Sequence, residues 1–179
     1  MKTLYFLRHA KSDWSNIGLS DQDRPLNSRG RRACVKIGIV LQKRGFNPGL
    51  VLCSSAVRAR ETLDRVMSAA GNNWPKQIEP DLYGASADRI LGLIRQQSDE
   101  HDSLLCVGHN PGFQDIVIGL SGKESYDGLI ARVNRKLPTA AFAELRFEVD
   151  HFRDIGVNTG CLVDFFKPKD KMLEEKTIV

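Results

Sequence analysis

A chain of 179 residues can bury a core of its own and falls within the usual size of one domain rather than two. Its hydrophobic fraction of 41% and charged fraction of 27% are ordinary for a globular protein, and no stretch approaches the roughly 20 apolar residues of a membrane span, so a soluble, cytoplasmic protein without a membrane partner is expected. The 26 Lys and Arg against 22 Asp and Glu, a net charge of +4, favour anionic ligands but fall short of the clustered charge of a nucleic-acid binder.

In chain order, Thr3-Leu4-Tyr5-Phe6-Leu7 is an apolar, β-prone run that ends abruptly at Arg8-His9, as a central strand covered on both faces does. After a polar loop, Asn27 is placed to cap a helix carrying Ala33, Ile37, Val40 and Leu41 at helical spacing and stopping near Gly45. Gly49 to Cys53 repeats the strand pattern, and a helix from about Val57 to Ala70 follows. Lys76 to Glu79 forms a short strand, Ser86 starts an amphipathic helix, and Ser103 to Val107 is a further buried strand ending at Gly108-His109. Phe113 to Leu120 is helical, and Ala140 to Val149 and Gly160 to Phe166 are two closing strands. Strands alternating with helices predict a three-layer α/β/α sandwich with a mostly parallel central sheet of about six strands and four to five helices. The domain is expected to span residues 1–167, with 168–179 a mobile tail.

Cys34, Cys53, Cys106 and Cys161 contain no C-x-x-C pair, and the four histidines show no H-x-x-x-H spacing. They are read as buried thiols and unliganded imidazoles, so no metal and no cofactor is expected.

Ligands of such sheets bind at the carboxyl ends of the strands. Three strands end there in polar clusters: Arg8-His9, Ser54-Ser55 followed by Arg58, and Gly108-His109. Taken singly, each has a plainer explanation as a solvated loop residue, a surface charge or a turn. Together, two guanidinium groups and two imidazoles suit the charge-assisted grip of a phosphoryl group. His9 is the candidate nucleophile, provided one ring nitrogen donates to a carbonyl and the other stays unprotonated. Arg8, Arg58 and a protonated His109 would stabilise the transferring group.

Leu7-Arg8-His9-Ala10-Lys11-Ser12 resembles the Arg-His-Gly signature of the histidine phosphatase (phosphoglycerate-mutase-like) superfamily. Ser54-Ser55-Ala56-Val57-Arg58-Ala59-Arg60-Glu61-Thr62 is similar to its S-x-x-x-R-A-x-x-T segment, and Val107-Gly108-His109-Asn110 to its second histidine motif. Asp23-Arg24-Pro25-Leu26, Gly108 to Gly112 and Pro138-Thr139-Ala140 look like the SixA-type phosphohistidine phosphatase branch. The resemblance implies a metal-independent phosphatase with a phosphohistidine intermediate on His9, and Arg8, Arg58 and His109 completing the pocket. Its partner would be a phosphorylated protein, such as a phosphohistidine-carrying domain, or a small phosphorylated metabolite. Ser15, where the family often has Asn, together with Arg24 and Asn110, are candidate substrate contacts.

Ala10 and Lys11 stand where many members have Gly and Glu. Larger members use a Glu as general acid after the second strand and helix; Asp81 is the nearest candidate by position, with a cap or solvated charge as its other reading. A phosphoramidate needs less help, because its leaving imidazole departs neutral once protonated. A phosphatase of small phosphate esters and a catalytically weak phospho-ligand-binding module are the alternatives. Mutase activity is disfavoured, because no insertion between Gly71 and Ser86 is long enough for a water-excluding lid.

Overall fold

The computed structural model describes residues 1–126 and 128–170. Strands β1 (Lys2–Arg8), β2 (Leu50–Ser54), β3 (Lys76–Glu79), β4 (Ser103–Gly108), β5 (Phe142–Phe147) and β6 (Cys161–Phe166) form one six-stranded sheet. Its order is β3-β2-β4-β1-β5-β6, with β1 to β4 parallel and β5 antiparallel to both β1 and β6. The predicted three-layer α/β architecture is therefore the observed one.

The layers follow from the period of two along each strand. On β1, Leu4 and Phe6 face a core shared with α3 (Ala87–Arg95), α4 (Gly112–Leu120) and α5 (Leu129–Arg135). Leu7 joins the opposite core with α1 (Ser28–Lys43) and α2 (Val57–Ala70), and Tyr5 packs against it. Cys34, Cys53 and Cys106 are buried, and burial pushes each thiol up to about 12; Cys161 is half-buried. Among the described residues no helix is long and apolar enough to cross a membrane.

The expected caps are present: Asn27 accepts from the Gly30 amide and Ser86 from that of Arg89, each opening its helix as side-chain capping does. Helix α5 is an addition to the elements predicted in chain order. It has no side-chain cap, and only Val133 on it is buried. Short 3₁₀ turns at Pro80–Leu82 and Phe152–Asp154 are further additions. Strand β5 begins two residues later than predicted, because Ala140 takes a left-handed φ of 59°. Most of the expected tail, residues 171–179, lies outside the described residues; Asp170 before it pairs with Arg132 at 3.0 Å.

Gly30 sets how closely α1 can approach the strand carrying the site. A Cβ at this position would lie 2.2 Å from the Lys11 carbonyl oxygen and 2.9 Å from its nitrogen. Both are backbone atoms that cannot swing away. Gly30→Ala is therefore expected to destabilise the fold by about 2 kcal/mol despite alanine's better helix propensity, read as a lowered urea midpoint.

Candidate active site

Parallel pairing brings the polar strand ends into line. Arg8 lies opposite Gly108 and Cys53 opposite Val107, so the residues that follow on β1, β2 and β4 meet at one edge. The His9 amide donates to the Gly108 carbonyl at 2.9 Å, and the His9 and His109 ring centres are 5.0 Å apart. Ala140 closes the other side, its amide donating to the carbonyls of Arg8 and His9 at 3.0 and 3.1 Å. The uncommon left-handed backbone of this alanine thus sits against the Arg8-His9 peptide.

His9 is 7% exposed. Its Nδ1 donates to the Ala10 carbonyl at 2.7 Å, and its Nε2 accepts a long 3.4 Å bond from Arg58 Nε. This is the tautomer a nucleophilic imidazole requires. Burial first, against the opposing Ala10 hydrogen bond, and then the charges of His109, Arg58 and Arg8 push its pKa down to about 3.

Arg58, 8% exposed, comes from the first turn of α2. Its Nη2 pairs with Asp21 Oδ2 at 2.9 Å, and its Nη1 donates to the Asp21 carbonyl. Tyr83 donates to the same carboxylate oxygen at 2.8 Å. Partial burial works to raise the Asp21 pKa, but the hydrogen bonds from Tyr83 and Arg58 and the charges of Arg58 and Arg24 outweigh it and hold the carboxyl below its ordinary value. Arg8 donates through Nη1 to the Leu137 carbonyl at 2.8 Å, leaving its buried Nε without a partner. Burial, then the neighbouring Arg58, lowers the Arg8 pKa. Two cations held this close favour an anion between them.

His109 Nε2 shares a 2.7 Å hydrogen bond with Ser54 Oγ, and its buried Nδ1 has no partner. The sequence suggests a protonated His109. In the protein alone, burial and the charges of Arg58 and Arg8, partly offset by Asp21, push its pKa down to about 4, so the ring is neutral. An unfolded histidine titrates near 6.5, so between that pH and about 4 the unfolded chain binds more protons and stability falls as pH drops. The double variant His9→Gln/His109→Gln is expected to lose much of this acid sensitivity. The urea midpoint between pH 7 and 4.5 reads it, each ring accounting for on the order of 2 kcal/mol.

The structure brings Arg8, His9, Arg58 and His109 together and sets Asn110 beside them. Asn110 Nδ2 donates to Gln114 Oε1 at 3.2 Å and to the Leu137 carbonyl at 3.0 Å, the oxygen Arg8 also uses. Arg24 stacks on Trp14 at 4.1 Å and contributes to the field at Asp21. Ser15 is exposed, its amide donating to Asp13, and no hydrogen bond links it to the central four among the described residues. Asp81 is 53% exposed and paired with Arg89. Asp81 is thus drawn to the surface pair, and the residue its turn delivers to the site is Tyr83, whose ring centre lies 5.5 Å from that of His109.

Two supporting side chains, Asp21 and Tyr83, had no signal strong enough to find them in the sequence, whereas Thr62 closes the Ser54–Thr62 motif without a role assigned to it there. Thr62 Oγ1 accepts from the Ala10 amide at 2.9 Å and donates to the Arg58 carbonyl at 2.6 Å. Glu61 accepts from the Leu26 amide at 2.8 Å and from Arg65 at 2.9 Å, tying the loop before α1 to α2. Among the described residues no group of three or more His, Cys, Asp or Glu is placed to hold a metal ion.

A sheet that gathers paired imidazoles and paired guanidinium groups at its carboxyl edge defines an α/β protein whose candidate site suits an oxyanion. The family model of the histidine phosphatase superfamily (branch 1) matches residues 4–144, and the chain belongs to that superfamily. An uncharacterized protein of Mycobacterium tuberculosis is 35% identical over 164 residues, covering 91% of this chain and all of that one. Among solved structures, a protein assigned as phosphohistidine phosphatase SixA from Agrobacterium tumefaciens is 30% identical with a TM-score of 0.76, over 93% of this chain and 99% of that one. One assigned likewise from Nakamurella multipartitia has 27% identity and a TM-score of 0.78, over 94% and 97%.

Proposed function

We propose that this chain is a metal-independent phosphatase that takes a phosphoryl group onto His9 Nε2 and then passes it to water, with protein-borne phosphohistidine as its substrate. The observation that carries the reading is the fixed tautomer of His9: Nδ1 donates to the Ala10 carbonyl at 2.7 Å while Nε2 faces Arg58. The Nε2 lone pair attacks phosphorus as the bond to the leaving group breaks. A water molecule then displaces His9 and releases inorganic phosphate. Arg8 and Arg58 supply the fixed positive charge that the equatorial oxygens need.

A phosphoryl dianion among these groups reverses the push on His109, since an opposite charge favours the protonated ring. His109 then serves as proton donor to the leaving group, a role suited to a phosphoramidate, whose imidazole leaves without becoming an alkoxide. The likeness to proteins assigned as phosphohistidine phosphatases supports this substrate class.

The test is rapid quenching of turnover with labelled phosphoramidate, alongside p-nitrophenyl phosphate. Acid-labile, alkali-stable label on His9 and faster hydrolysis of the N-linked phosphate are expected. Turnover without any such label would rule out the intermediate, and faster hydrolysis of the ester would move the substrate to O-linked phosphates.

A further inference from the structure

Beside the site lies a groove of about 230 Å³ whose lining carries six cationic side chains, Lys11, Arg29, Arg32, Lys36, Lys167 and Lys169, and among the described residues no carboxylate or aromatic ring lines it. It begins two residues after His9, at Lys11, and its wall at Pro138 follows Leu137, the residue whose carbonyl holds Arg8. Lys167 follows the end of β6, which runs in the same direction as β1, so the groove opens at the same edge of the sheet as the site. Lys11, Arg29, Arg32, Lys167 and Lys169 make no ion pair among the described residues.

This charge works against the local structure. Helix α1 has no acidic residue in its first turn and places Arg29 there, against the positive end of the helix dipole. Such a break with local preference points to a use outside folding. Arg29, Arg32 and Lys36 recur at helical spacing, a row about 10 Å long. That is longer than one phosphate and matches a run of carboxylates. Ala33, Pro138 and Pro168 give the groove an apolar floor, and without aromatic platforms it does not suit the bases of a nucleic acid.

We infer that this groove docks an acidic segment flanking the phosphorylated residue of a protein substrate. The inference rests on the phosphohistidine-protein reading above and adds the chemistry by which such a substrate is selected. Charge complementarity of this kind mainly speeds encounter and sets the register of the bound segment.

Two phosphohistidine peptides of equal length, one flanked by Glu and one by Gln, test it with wild type and with Arg29→Glu/Arg32→Glu, phosphoramidate serving as the small reference substrate. Wild type should prefer the Glu peptide about tenfold in kcat/KM at low salt, mainly through KM, and lose the preference near about 0.5 M salt. The variant should lose it too while hydrolysing phosphoramidate within about twofold of wild type, because neither arginine touches the central four residues. Equal use of both peptides by wild type, or an equal loss on phosphoramidate, would overturn the docking role.

Fluorescence anisotropy with the unphosphorylated Glu peptide separates the groove from catalysis. Salt-sensitive binding that the variant loses supports docking even if no substrate is turned over, an outcome that would sink the enzymatic reading alone. Absence of binding, or tighter binding of a single-stranded DNA oligonucleotide of equal charge, counts against an acidic protein segment.

Discussion

Replacing His9 by alanine is expected to lower kcat on phosphoramidate by at least about 10⁴-fold and to remove the labelled intermediate, because under the proposed mechanism the variant keeps the phosphate grip but loses the atom that accepts phosphorus. The loss should fall on kcat and kcat/KM alike, since the bond to phosphorus forms only during reaction. Folding is not the cause: the ring is neutral, its hydrogen bonds are to Ala10 and Arg58, and β1 is held by ladders to β4 and β5 on either side. An unchanged near-ultraviolet circular dichroism spectrum checks this. More than a tenth of wild-type turnover in the variant would exclude His9 as nucleophile.

Arg58→Ala is expected to cost about 10³-fold in kcat, the effect of removing a donor aimed at developing charge. Lysine at this position should recover little, because Arg58 uses three nitrogens at once, on His9 and on two oxygens of Asp21, and an ammonium cannot reproduce that fork. Asp21→Asn removes the charge that orients the guanidinium but leaves the guanidinium in place, so its loss should be nearer tenfold. Steady-state kinetics on the three variants read this order. If Asp21→Asn is as damaging as Arg58→Ala, Asp21 takes a direct part in the chemistry.

The sheet and its principal helices are legible because their signals are local. Continuous apolar runs such as Leu104-Leu105-Cys106-Val107 mark buried parallel strands, and Asn27 and Ser86 mark helix starts. Helix α5 escapes because it is short and opened by Gly128 rather than by a capping side chain. Arg8, His9, Arg58 and His109 are legible because strand ends must converge in this architecture.

The residues that support them depend on tertiary contacts across long separations. Asp21 meets Arg58 across 37 residues and Tyr83 across 62, and nothing in a polar loop distinguishes such an aspartate from its neighbours. Asp81 illustrates the converse. Its place in the chain suits a catalytic acid, but Arg89, eight residues on, draws its carboxylate to the surface. The charge state of His109 was likewise beyond composition or motif, since it depends first on the burial of the ring and then on the charges of Arg58, Asp21 and Arg8.

The Thr62 hydroxyl has a consequence for the entropy of reaction. It accepts from Ala10, the residue after the proposed nucleophile, and donates to the carbonyl of Arg58, the proposed phosphate clamp, so one buried oxygen joins the loop after β1 to the helix carrying Arg58. In the proposed mechanism, attacking atom and clamp are thereby parts of one frame before any substrate arrives. The freedom lost on binding belongs almost wholly to the incoming phosphoryl group, and the alignment of nucleophile with clamp is already accounted for in the folding of the chain.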